Sequence, residues 1–152
     1  MISDKLQQFL ESGLSINVGT RDDELQPSAA VAWAARVHED RAHLTIFMHE
    51  EAAQAMLRNL NVHPEIAVAF DRPTTHRACQ VKGHYVSTRR GKAAERGRVE
   101  RQVDAFFADL EAIGIPRAMV AGFKTWPCVA LDMRVTELYE QTPGPGAGEP
   151  LR

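Results

Sequence analysis

The sequence is short of cysteine, of excess positive charge and of long apolar runs, and each shortage closes a class of function. Its two cysteines, Cys79 and Cys128, have no C-x-x-C spacing and are too few for a disulfide framework. Both fall in strand-like stretches, where a reduced thiol in the core is the expected role. Eighteen Lys and Arg against twenty Asp and Glu give a formal net charge of −2, which leaves no basic footprint for a nucleic acid. No apolar run approaches the ~20 residues of a membrane-spanning helix. Met1 leads straight into Ser3-Asp4-Lys5, without the apolar core of a secretory signal, so the cytoplasm is the expected compartment. The glycines are scattered at turns, and neither a phosphate loop nor a dinucleotide fingerprint can be read. His49-Glu50-Glu51-Ala52-Ala53 lacks the second histidine of a zincin, and His76 and His84 are too far apart to share a metal. No metal site and no catalytic triad are expected.

What is present is a chain of 152 residues, enough for one domain. Ser3 can cap a first helix with Leu6, Phe9 and Leu10 on its apolar face, and Gly13 can end it in the left-handed conformation. The period then changes from 3.6 to 2. From Leu14 to Thr20 large apolar residues alternate with small or polar ones, the pattern of a strand with one buried face. A polar turn closed by Pro27 leads to a second strand, Ser28 to Val37. Val31, Trp33 and Val37 mark one of its faces, and Ala30, Ala32 and Ala34 the other. A third strand runs from Ala42 to Met48. A helix with Glu50 and Glu51 in its first turn, where the dipole favours acids, carries the stripe Ala53, Met56, Leu57 and Leu60. Ile66, Val68 and Phe70 make a fourth strand, and His76 to Ser87 a fifth. The charged stretch Thr88 to Arg98 leads into the longest helix, striped by Val99, Val103, Phe106, Leu110 and Ile113. A sixth strand follows Pro127 and reaches Tyr139. The expected division is a domain over 1–140 and an irregular Pro/Gly-rich tail over 141–152. Six short strands joined largely by turns are expected to pair antiparallel and close into a barrel, which removes exposed edges.

Three segments carry a resemblance to a known family. Asn61-Val62-His63-Pro64, followed by the apolar strand Glu65 to Phe70, resembles its "N-P, then strand" segment. Arg77-Ala78-Cys79-Gln80-Val81-Lys82-Gly83 resembles its "R-Q-V-R-x-x-G" strand. Val18-Gly19-Thr20-Arg21-Asp22 through Gln26-Pro27 resembles its first hairpin. In order and spacing, from Leu6 to about Tyr139, the chain resembles the pyridoxamine 5'-phosphate oxidase-like family. The resemblance implies a mainly β protein with helices, a six-stranded antiparallel Greek-key split barrel. It also implies a homodimer holding FMN at its interface.

Carried over position by position, the resemblance sets Ala32, Trp33, Ala34, Met48, His49, Arg77, Gln80 and Lys82 against the cofactor. The family's second-strand arginine falls at Ala30, its helix Arg-Lys pair within Gln54 to Met56, and its glutamine at Ala78. Arg77 alone keeps its type, which makes it the expected phosphate partner, with Arg36, Arg58 and Lys82 as substitutes. Arg77 points opposite to Gln80 and Lys82, so one pocket cannot hold all three without a bulge. The alanine face of the second strand suits a flat ring or tight core packing, and Trp126 a ring platform or a loop anchor. Two functions stay open. One is an FMN-dependent oxidoreductase. The other is a non-catalytic dimeric split barrel that has lost the phosphate grip, or one that binds a deazaflavin or haem. No residue can be assigned as a catalytic acid or base.

Overall fold

Four helices and seven strands follow one another along residues 1–151, the part of the chain that this computed structural model describes; Arg152, the last residue of the expected tail, lies outside it. The order is α1 (Asp4–Leu10), β1 (Ser15–Arg21), β2 (Pro27–Ala32), β3 (Ala34–Val37), β4 (His43–His49), α2 (Glu50–Leu60), β5 (Glu65–Asp71), β6 (Ala78–Arg90), α3 (Ala93–Ala112), α4 (Arg117–Val120) and β7 (Cys128–Glu140). All the strands belong to one sheet in the order β2-β1-β5-β6-β7-β4-β3, and every neighbouring pair is antiparallel. The sheet curls into a split barrel.

The count of seven corrects the expected six. The run Ser28 to Val37 does not stay one strand, because it serves both edges of the sheet. Its first half pairs with β1 (Ala32 opposite Ile16), and its second half pairs with β4 (Ala34 opposite Phe47). A straight strand cannot follow two diverging partners, so the run breaks at Trp33, whose N–H donates to the Phe47 carbonyl at 2.8 Å. This crossing is where the curled sheet comes closest to closing.

Inside the curl lie Ile16, Val18, Leu44, Ile46, Val68, Phe70, Val81, Leu131 and Met133, all essentially without exposure. α1 adds Leu6, Phe9 and Leu10 to this core, and α2 adds Ala53, Met56 and Leu60. Ser3 caps α1 as expected, its hydroxyl accepting from the Leu6 N–H. Outside the curl a second cluster forms where Trp33, Ala34, Phe47 and Ala130 are covered by Val99, Val103 and Phe107 of α3.

Two boundaries moved. β6 runs on to Arg90, beyond the expected Ser87, because it follows β7 through two bulges, after Lys82 and after Tyr85. At the first bulge only glycine fits, since a Cβ on Gly83 would lie 2.0 Å from the Arg134 carbonyl oxygen. α3 begins at Ala93 rather than Val99 because Glu95 reaches back to accept from the Lys92 N–H at 2.8 Å, closing the first turn. The tail bends back along β7: Leu151 N–H donates to the Leu138 carbonyl, and its side chain rests on the barrel core. Among the described residues no helix is long and apolar enough to cross a membrane.

Candidate functional site

In a strand, alternate side chains leave the core. Along β1 the outward positions include Asn17 and Gly19, along β2 Ala29 and Val31, along β5 Ala67 and Ala69, and along β6 Gln80 and Lys82. Register sets these in two rows across the sheet. One is Val31–Asn17–Ala69–Gln80–Tyr139, and the other is Ala29–Gly19–Ala67–Lys82–Glu137. An antiparallel sheet facing water normally puts polar residues there. Here the middle of the face is alanine and glycine, and Val31 is 44% exposed.

The absence of side-chain bulk leaves a groove of about 340 Å³ over Gly19, Ala67 and Gly83, flanked by Arg21, Glu65, Lys82, His84 and Glu137. A second depression of about 190 Å³, between Asn17, Ala29, Ala69 and Gln80, joins it through Gly19 and Ala67. Arg21 pairs with Glu65 at 3.5 Å. Among the described residues Lys82 makes no ion pair; its ammonium lies 5.0 Å from the centroid of the Tyr139 ring. The Tyr139 hydroxyl donates to the Glu137 carboxylate, and this bond pushes the phenol pKa upward. The surface can accept a planar ring lying on backbone, with Gln80, Lys82 and His84 as hydrogen-bond donors at its margin.

Of the eight expected site residues, Gln80 and Lys82 line this groove system. Ala32, Trp33, Ala34, Met48 and His49 gather around the strand crossing, all of them buried. Trp33 meets Phe107 edge-to-face at 6.2 Å and Phe123 at 5.7 Å. The His49 side chain caps α2, accepting from the Glu51 N–H at 3.3 Å. Arg77 lies elsewhere, its guanidinium 4.2 Å above the Phe9 ring on the α1 side of the sheet. Of the substitute cations, Arg58 is exposed in the last turn of α2, and Arg36 stands 4.0 Å from Glu95. Glu95 is already gripped at 2.7 and 2.8 Å by Arg89, which holds its carboxyl down at about 2. The Trp126 ring packs on Gly91, where a Cβ would lie 3.0 Å from it. Burial pushes the thiols of Cys79 and Cys128 up to about 12, and both are unpaired. Among the described residues no group of His, Cys, Asp and Glu converges as a metal site.

Residue reading passed over Asn17, Gly19, Ala67 and Ala69. Their signal lay in the outward positions of β1 and β5, which are small where a solvated strand would carry lysine, glutamate or threonine.

No family model matches the chain, and no curated protein matches it. Solved structures do match its fold. An F420 reductase superposes with a TM-score of 0.59 at 16% identity, over 87% of this chain and 94% of its own. A Lactobacillus delbrueckii protein described provisionally as a pyridoxamine 5'-phosphate oxidase gives 0.55 at 12%, over 90% and 92%. An FMN-binding protein from Syntrophomonas wolfei gives 0.54 at 12%, over 87% and 80%. At these identities the likeness is one of fold.

Proposed function

Starting from a fold shared with pyridoxamine 5'-phosphate oxidase-like split barrels, we propose that this chain binds a flavin-type cofactor, FMN in the first instance, as a homodimer, and acts as an oxidoreductase. The observation that carries the reading is the groove floored by Gly19 and Ala67 and joined to the depression beside Ala69 and Gln80. An isoalloxazine is flat and needs a surface without side chains in its way. The names of two similar structures, an F420 reductase and an FMN-binding protein, agree with such a ligand.

When bound, a flavin supplies the redox chemistry itself, and the protein supplies binding, orientation and electrostatics. The Gln80 carboxamide can both donate to and accept from a ring edge, and Lys82 and His84 are donors for a phosphate. The exposed small-residue face extends beyond the groove to Ala29 and Val31, and a second copy laid on it about a two-fold axis would bury those residues and wall the cofactor in. Ala32, Trp33, Ala34, Met48 and His49 hold the strand crossing behind this face.

One observation favours a second reading. Ala30, Gln54, Ala55, Met56 and Ala78 offer no cation, and Arg77 lies against Phe9 on the α1 side of the sheet. A ring bound without a firm phosphate grip, as in a deazaflavin- or haem-binding or non-catalytic split barrel, follows from that scarcity. Titration of the protein with FMN, riboflavin and F420, followed by absorbance and fluorescence, separates the readings. FMN should saturate, and Lys82→Met should weaken it at least tenfold, the size of one charge-assisted contact. Riboflavin binding as tightly as FMN supports the second reading. No binding of any of the three refutes the flavin reading.

A further inference from the structure

We propose that Arg77 belongs to a separate ligand site that takes a small amphipathic carboxylate. A cavity of about 200 Å³ opens between α1 and the end of β7. Its apolar lining includes Leu6, Phe9, Leu138 and Leu151, and its cations are Lys5 and Arg77. The Arg77 guanidinium lies over the Phe9 ring, half-buried, and neither Arg77 nor Lys5 makes an ion pair among the described residues. The one carboxylate lining the cavity, Glu140, makes no ion pair with Arg77; it accepts from the Thr142 N–H at 2.8 Å, and hydrogen bonding from Thr142, with a smaller contribution from the Arg77 charge, holds its carboxyl below the ordinary range.

A cation set against apolar surface with no carboxylate in direct contact is costly to desolvate, and an incoming anion that pairs with it relieves that cost. The planar fork of an arginine matches a carboxylate with two parallel hydrogen bonds. At roughly 30 Å³ for each water-sized group, the cavity holds about seven such groups, the bulk of a six-carbon chain. The apolar tail would lie on Leu6, Phe9 and Leu138 while the carboxylate meets Arg77 at the rim. A phosphate monoester fits less well, because its second charge would face Glu140. The cavity lies on the opposite side of the sheet from the groove proposed for the cofactor, so either site can exist without the other.

The test is a ¹H–¹⁵N NMR titration of the full chain with sodium hexanoate, with hexanol as the uncharged control. Hexanoate should produce saturable shifts at Leu6, Phe9 and Leu138 and none at Gly19 or Ala67, with hexanol at least tenfold weaker. Arg77→Met should weaken hexanoate at least tenfold, and Lys82→Met should leave it unchanged. Lys5→Gln, a change at an exposed residue, provides the same test if Arg77→Met does not fold, with a loss of about threefold expected. Absence of saturable shifts, equal binding of hexanol, or affinity unmoved by the cation variants would overturn the proposal.

Discussion

Replacing Gln102 with methionine should cost the protein a large part of its stability, although the side chain is nearly preserved in size. β3 is one edge of the sheet, and the outward N–H and carbonyl of Ala35 have no neighbouring strand. α3 supplies the missing partner. The Gln102 amide donates to the Ala35 carbonyl at 2.8 Å and accepts from the Ala35 N–H at 3.0 Å, so one side chain stands in for a strand. Ala35 is fully buried and Gln102 is 5% exposed, so water cannot replace either bond. Each buried backbone group left unsatisfied costs about 1–3 kcal/mol. The pair therefore sets a loss of about 2–6 kcal/mol, against the ~5–15 kcal/mol by which domains are stable. For a chain of this length each kcal/mol lowers Tm by about 2–4 °C, so a loss of 3 kcal/mol predicts a fall of about 6–12 °C. Urea denaturation followed by circular dichroism should show a lower midpoint with an unchanged slope. A Gln102→Met protein within 0.5 kcal/mol of wild type would refute the reasoning.

Three further outcomes are expected. The Glu95 carboxyl, held at about 2 by Arg89 against an ordinary 4.5, contributes stability that is present above pH 4.5 and lost as the pH falls toward 2. A shift of that size corresponds to about 3 kcal/mol, so Glu95→Gln should be less stable than wild type at pH 7 and the gap between the two should close as the pH falls through that window. Gly13→Ala should destabilise by about 2–5 kcal/mol in thermal unfolding, because φ is +82° and the new Cβ would lie 2.5 Å from the Gln102 carbonyl oxygen. Ala69→Arg, at the middle of the small-residue face, should turn the proposed dimer into a monomer in sedimentation, and a dimer that survives it would place the interface elsewhere.

The barrel could be read in advance because its strands carry a clean period of two. Ile16 and Val18, Ile66, Val68 and Phe70, and Leu131 and Met133 all point where the alternation says. Trp33 hid the break between β2 and β3, since continuity of apolar residues looks the same whether one strand serves one neighbour or two. The start of α3 was hidden among charges, because Glu95 acts through Arg89 and the Lys92 N–H rather than through any apolar stripe. The site was less legible still. Gln80 and Lys82 were found from a strand motif, but that motif also carried Arg77, which the resemblance assigned to the same cofactor although strand alternation sets it, with Cys79, on the other side of the sheet. The floor of the groove depends on four strands presenting small residues in register, and no single segment displays that.

The most direct measurement fills the groove from within. A Cβ on Gly19 would meet nothing nearer than the Ala67 carbonyl oxygen at 3.8 Å, so Gly19→Phe can be carried without backbone strain while its ring covers the proposed cofactor surface. FMN affinity of this variant, measured by equilibrium titration beside wild type and with unfolding checked in parallel, should fall at least a hundredfold with the fold intact. FMN binding unchanged in Gly19→Phe would contradict a cofactor lying on this face.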